Sequence, residues 1–105
     1  MSTDRLDALL AFLRETPDDA FTLYAVATEY RRAHPQKALE YYERLLDEHP
    51  QYVPTYYHAA QLYVDLNQPE RAEQTYEKGI AIAGEQNDAL ALRELRSAYD
   101  EFLFE

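Results

Sequence analysis

Three histidines, His34, His49 and His58, are the side chains in this sequence best suited to proton transfer or metal ligation. A histidine zinc site on one helix needs two of them four residues apart, and no pair has that spacing. The carboxylate neighbours Asp18-Asp19, Asp47-Glu48 and Asp100-Glu101 could in principle share a proton. All three pairs fall where helices are expected to end, which is where an acidic chain ordinarily keeps its acids. Gly79 and Gly84 are the only glycines and stand apart, so no glycine-rich loop can cradle a phosphate. Cysteine is absent, which excludes thiol chemistry, cysteine zinc sites and iron–sulfur clusters. The sequence therefore predicts no catalytic residue, no metal ligand set and no cofactor. What it offers instead is tyrosine, ten in all, four of them in the stretch YVPTYYHAAQLY from Tyr52 to Tyr63. Those rings are either a binding platform or a core.

The chain is 105 residues long and carries 20 acidic against 10 basic side chains, a formal charge of −10. That length fits one domain with a single core. The negative field repels phosphate backbones and anionic head groups, so neither nucleic acid nor a membrane surface is an expected partner. The start, MSTDRLDALLAFLRETPDD, has acid on both sides of its apolar run, unlike a secretory signal. No run approaches the length of a membrane span. A soluble protein is expected, and the lack of cysteine fits a reducing cytoplasm.

Helices must position whatever these residues do, because apolar residues recur at helical spacing and nothing alternates like a strand. Leu6, Leu9, Leu10 and Leu13 make a first stripe behind a cap at Ser2 or Thr3, ending near Thr16-Pro17. Asp18 or Asp19 caps a second helix with Phe21, Leu23, Tyr24, Ala27 and Tyr30 inward. Pro35 and Pro69 each suit a first helical position, where the missing N–H costs nothing. The helix after Pro35 turns Leu39, Tyr42, Leu45 and Leu46 inward and ends around His49-Pro50; the next spans roughly Pro54 to Leu66. After Pro69 the stripe is Ala72, Tyr76, Ile80 and Ala83, with Gly84 expected as the left-handed residue that stops the helix. A sixth helix, from Asn87 or Asp88, shows Leu92, Leu95, Tyr99 and Phe102. Glu40 and Arg44 have the spacing of a favourable surface ion pair. The expected fold is all-α, about six helices in antiparallel hairpins.

The chain also repeats itself. PQKALEYYERLL from Pro35 lies over PERAEQTYEKGI from Pro69, matching Pro35/Pro69, Ala38/Ala72, Tyr42/Tyr76 and Glu43/Glu77. The preceding helices align as well, LYAVATEY on YYHAAQLY. Spacing and residue types together resemble the tetratricopeptide repeat (TPR): Leu23, Val26, Ala27, Tyr30, Ala38, Tyr42 and Pro50 in one copy, and Tyr56, Ala59, Ala60, Tyr63, Ala72 and Tyr76 in the other. Tyr56 and Leu23 replace the family's tryptophan, and Gly84 stands in place of the second closing proline. The turns lack the usual glycine, holding Asn67-Gln68 or His34, so less regular turns are expected. The resemblance implies a short α-solenoid of stacked hairpins, with residues 1–17 as an N-terminal capping helix, 18–51 and 52–85 as two repeats and 86–105 as a C-terminal capping helix. Arg5 occupies the first helix's packing-alanine place. Gly79 falls at a small-residue position and implies close helix contact.

In the family it resembles, first helices of successive repeats line a concave groove that receives peptide segments of other proteins. Carried over residue by residue, that face holds Tyr24, Thr28, Arg31 and Arg32 in the first copy, and Tyr57, His58, Gln61 and Asp65 in the second. Arg93 and Ser97 of the last helix extend it, giving a polar and aromatic groove with local positive charge. The carboxylate clamp of some members is not matched, because Tyr24, Thr28 and His58 stand at its places. The implied function is a nonenzymatic adaptor for a protein or peptide partner, as a monomer or weak dimer. The alternative is a self-associating structural subunit with no groove ligand. Within YVPTYYHAAQLY, Tyr56 and Tyr63 then read as core, Tyr52 as a lid in the turn, and Tyr57 as the ring left for binding.

Overall fold

A computed structural model describes residues 2–104 and contains, among them, six α-helices and no strand. They are α1 (Ser2–Glu15), α2 (Ala20–Tyr30), α3 (Pro35–Glu48), α4 (Pro54–Asp65), α5 (Pro69–Glu85) and α6 (Ala89–Leu103). The side chains of Ser2 and Thr3, expected to cap α1, lie outside the described residues. None of the described helices is long and apolar enough to cross a membrane.

Two compact units divide the chain, Met1–Tyr52 and Val53–Glu105. In the first, α2 packs against both α1 and α3. Asp19 starts α2 in extended backbone, accepting hydrogen bonds from the Thr22 N–H (2.9 Å) and hydroxyl (2.7 Å). Those two bonds, the hydroxyl's foremost, hold the Asp19 carboxyl below its usual pKa. Leu23, Val26, Ala27, Ala38, Leu39, Tyr42 and Leu45 are buried as their stripes require, and Leu13 joins them from α1. Leu6, Leu9 and Leu10 are only half-buried, because α2 is the main neighbour of α1 in this unit. Phe21 is a correction: it is 65% exposed, and Thr22 turns inward instead. The buried face of α2 starts one residue later than the stripe predicts. Arg44 does not reach Glu40 either. It pairs with Glu48 (3.2 Å) and donates to the Pro17 carbonyl (2.6 Å), pinning the α1–α2 turn to α3.

In the second unit α5 packs against α4 and α6, and α4 also touches α6. Pro54 and Pro69 open their helices, as Pro35 does in the first unit, and Asp88 caps α6 by accepting from the Ala91 N–H (3.1 Å). Tyr56, Ala59, Ala60, Tyr63, Ala72, Tyr76 and Ala83 are buried, with Leu62, Ile82 and Leu95 beside them. Ile80, expected inward, is half-buried. Gly79 is where the unit closes tightest: a Cβ there would stand 2.6 Å from Tyr56 Cβ and 2.9 Å from its Cγ. The absent side chain is what lets the Tyr56 ring lie against α5.

Gly84 does not end α5. No glycine has positive φ, and α5 runs on to Glu85. The left-handed residues are Asn67 (φ 62°) and Asn87 (φ 57°). Each sits in the same hydrogen-bond pattern, Gln68 N–H to Tyr63 O (2.8 Å) with Asn67 N–H to Val64 O (3.0 Å), and Asp88 N–H to Ala83 O (2.9 Å) with Asn87 N–H to Gly84 O (3.1 Å). That is the Schellman closure, with asparagine in glycine's usual place. The turns of this unit are thus regular, contrary to expectation.

Candidate functional site

On α4, the helix period that buries Tyr56, Ala59, Ala60 and Tyr63 turns Tyr57, His58 and Gln61 to the opposite side, where all three are half-buried. There they meet α6. An open recess of ≈ 520 Å³ is lined by Tyr57 and His58 from α4 and by Arg93, Glu94, Ser97, Ala98 and Glu101 from α6. The Tyr57 and His58 rings stand edge to face, 5.4 Å between centroids. A second recess of ≈ 160 Å³ adjoins it, sharing Ala98 and Glu101 and adding Gln61, Val64, Asp65 and Phe102, with Tyr76 behind. The two make one trough along α4 and α6 with the buried Ala98 in both linings.

The trough brings together Tyr57, His58, Gln61 and Asp65 with Arg93 and Ser97. Within the trough the charged side chains are of both signs. Arg93 is its one guanidinium, against the carboxylates of Glu94, Glu101 and Asp65. Glu94 and Ala98 escaped the sequence reasoning, Glu101 was met there only as one of a carboxylate pair, and Phe102 only as part of the inward stripe. Helix α5 is 17 residues long where α3 is 14, and the connection after it is shorter, 86–88 against 49–53. The signal available was the spacing of Glu94, Ser97 and Glu101, which falls on one helix face.

In the first unit, Tyr24, Thr28 and Arg31 lie on α2 and at its C-terminal edge. Tyr24 is half-buried and meets Tyr42 (6.4 Å) and Tyr52 (5.7 Å) edge to face. Tyr52 is therefore a lid over Tyr24. The Thr28 hydroxyl and the Tyr42 hydroxyl share a hydrogen bond of 2.9 Å, so this surface threonine is tied to a core ring. Burial pushes the phenols of Tyr24, Tyr42 and Tyr52 above their usual pKa. Arg31 acts on Tyr24 and Tyr42 in the other direction through its charge. Arg32 is exposed.

Beside these rings the chemistry is sparse. No group of three or more His, Cys, Asp or Glu side chains among the described residues could hold a metal ion. The Tyr99 phenol is raised to about 12, chiefly by the hydrogen bond it donates to Glu77 (2.8 Å), with Glu73 also near at 3.3 Å. Tyr99 stacks on Tyr76, 5.6 Å between centroids. This is a packed phenol held protonated, which suits neither a base nor a nucleophile.

Comparison with known proteins agrees with this architecture. Two structures of a tetratricopeptide repeat domain protein from Salinibacter ruber, one by NMR and one by crystallography, are each 38% identical to this chain. They superpose with TM-scores of 0.77 and 0.76, over 82% and 80% of this chain and 88% and 96% of theirs. A crystal structure of PcrH in complex with the chaperone binding region of PopD shares the fold at 15% identity, with a TM-score of 0.87 over 97% of this chain and 78% of that one. A search of curated proteins finds no match. The tetratricopeptide repeat family model matches residues 29–95. With its helical hairpins, its tyrosine and alanine packing positions and these matches, the chain belongs to the tetratricopeptide repeat family.

Proposed function

We propose that the chain is a nonenzymatic protein-interaction module that receives a peptide segment of a partner protein on its first-helix faces. Tyr24, Thr28 and Arg31 of α2 and Tyr57, His58 and Gln61 of α4 are the contact residues in this reading. Residues 18–51 and 52–85 are its two repeats, and 1–17 and 86–105 close its ends. Domains of this family are generally non-catalytic interaction modules. PcrH, which shares the fold, was solved with a segment of its protein partner.

The observation that carries the proposal is the α4–α6 trough, open, and long enough to follow a helix from Tyr57 to Asp65. Its rings and polar side chains are of the kinds that supply binding hot spots, tyrosine and arginine above all. Capture of partners from native lysate should fall roughly fivefold or more for Tyr57→Ala and Arg31→Ala, as expected for truncated hot-spot side chains. Far-ultraviolet circular dichroism should stay unchanged, since both residues lie outside the buried core. Undiminished capture by both variants, with mass in light scattering rising with concentration, would replace the proposal by a self-associating structural subunit.

A further inference from the structure

The charges of the trough narrow the partner's chemistry. Glu94, Ser97 and Glu101 are three, then four, residues apart on α6, so they share a face, and Ala98 is buried beside them. Among the described residues the side chains of Glu94 and Glu101 make no hydrogen bond or ion pair within the protein, although both border the recess. Tyr57 lies across from them on α4, its ring at right angles to that of His58. Carboxylates bordering a tyrosine suit lysine or arginine, whose head group pairs with the acid while its stem or charge lies on the ring. Arg93 is the one opposing charge, and Asp65 adds a third carboxylate at the far end. The chain's formal −10 has the same sign and draws cations toward the face from a distance.

Resting on the interaction-module reading, we infer that the α4–α6 trough binds a basic, extended peptide segment, with Glu94 and Glu101 taking its cationic side chains and Tyr57 packing beside them. Spacing makes the inference specific. Seven residues of helix separate the two glutamates by about 10 Å, at 1.5 Å per residue. A peptide extended as polyproline II, with three residues per turn and about 3.1 Å per residue, covers that distance in about three residues and brings its side chain back to the same face. The preferred segment therefore carries Lys or Arg at positions i and i+3. An acidic tail, by contrast, meets three carboxylates and one arginine.

The test uses three fluorescein-labelled eight-residue peptides in a Gly/Ser/Tyr background, with Lys at i and i+3, with Glu at the same places, or with Ala. Fluorescence anisotropy gives affinity, and amide shifts of the 15N-labelled full chain give the place. The lysine peptide should bind best, and its shifts should centre on Tyr57, His58 and residues 93–101. Glu94→Gln and Glu101→Gln should each weaken it roughly two- to fivefold, the worth of an exposed ion pair. Raising NaCl to about 0.5 M, where the screening length falls to a few ångströms, should weaken it further. The inference is overturned if the glutamate peptide binds as well as the lysine peptide, or if no peptide shifts the trough. If Tyr57→Ala abolishes partner capture while both glutamine variants leave it intact, the module reading stands and the basic class fails.

Discussion

Tyr99 shows how one side chain couples the fold to pH. Its phenol donates to Glu77, and that bond exists only while the phenol is protonated. With a folded pKa of about 12 against an ordinary 10, the folded state holds its proton where the unfolded chain has lost it. The contribution is complete below pH 10 and is lost as pH rises toward 12. Alkaline unfolding followed by circular dichroism should therefore steepen across that window. Tyr99→Phe should flatten the window while leaving behaviour at neutral pH nearly unchanged. Asp19 is the acid-side counterpart. Its lowered carboxyl stabilises α2 above the ordinary aspartate pKa and stops doing so as pH falls through its own lower value. Other tyrosines divide by helix period: Tyr56 and Tyr63 are buried, and Tyr57 faces the trough.

Among the helices, the two glycines of α5 make opposite cases. Gly79→Ala drives a Cβ into Tyr56 and should cost about 1–3 kcal/mol of overpacking, which outweighs the gain in helix propensity. Gly84→Ala meets nothing within 4 Å in an ordinary helical conformation and should stabilise by up to about 1 kcal/mol. Urea denaturation of the two variants checks both signs. Helix starts were legible in the sequence because proline and aspartate mark them by mechanism, as at Pro35, Pro69 and Asp19. The end of α5 was not. An isolated glycine can stop a helix or sit inside it, and here asparagine took the left-handed position three residues later. The candidate face on α4 was legible because Tyr57, His58 and Gln61 follow from where Tyr56 and Ala60 are buried. Its partner face on α6 was not, because the shared face of Glu94, Ser97 and Glu101 gains meaning only once the packing of α6 on α4 is known.

For the whole molecule, the surplus of acid acts on every state of the chain. At −10 the folded protein repels itself, so added NaCl should raise its Tm by a few degrees, the equivalent of about 0.5–1 kcal/mol. A melting series from low to moderate salt measures this, and its sign is opposite to that expected for binding the lysine peptide. The asparagines that close α4 and α5 bear on this charge through covalent ageing. Deamidation begins when the backbone nitrogen of the following residue attacks the asparagine side chain. At Asn67 and Asn87 that nitrogen, of Gln68 and Asp88, is already committed to the carbonyls of Tyr63 and Ala83. The folded chain thus shields two exposed asparagines from a reaction that would add negative charge to an acidic protein. Each excursion to the unfolded state reopens it, and accumulated aspartate at those two positions records how often the helices have come apart.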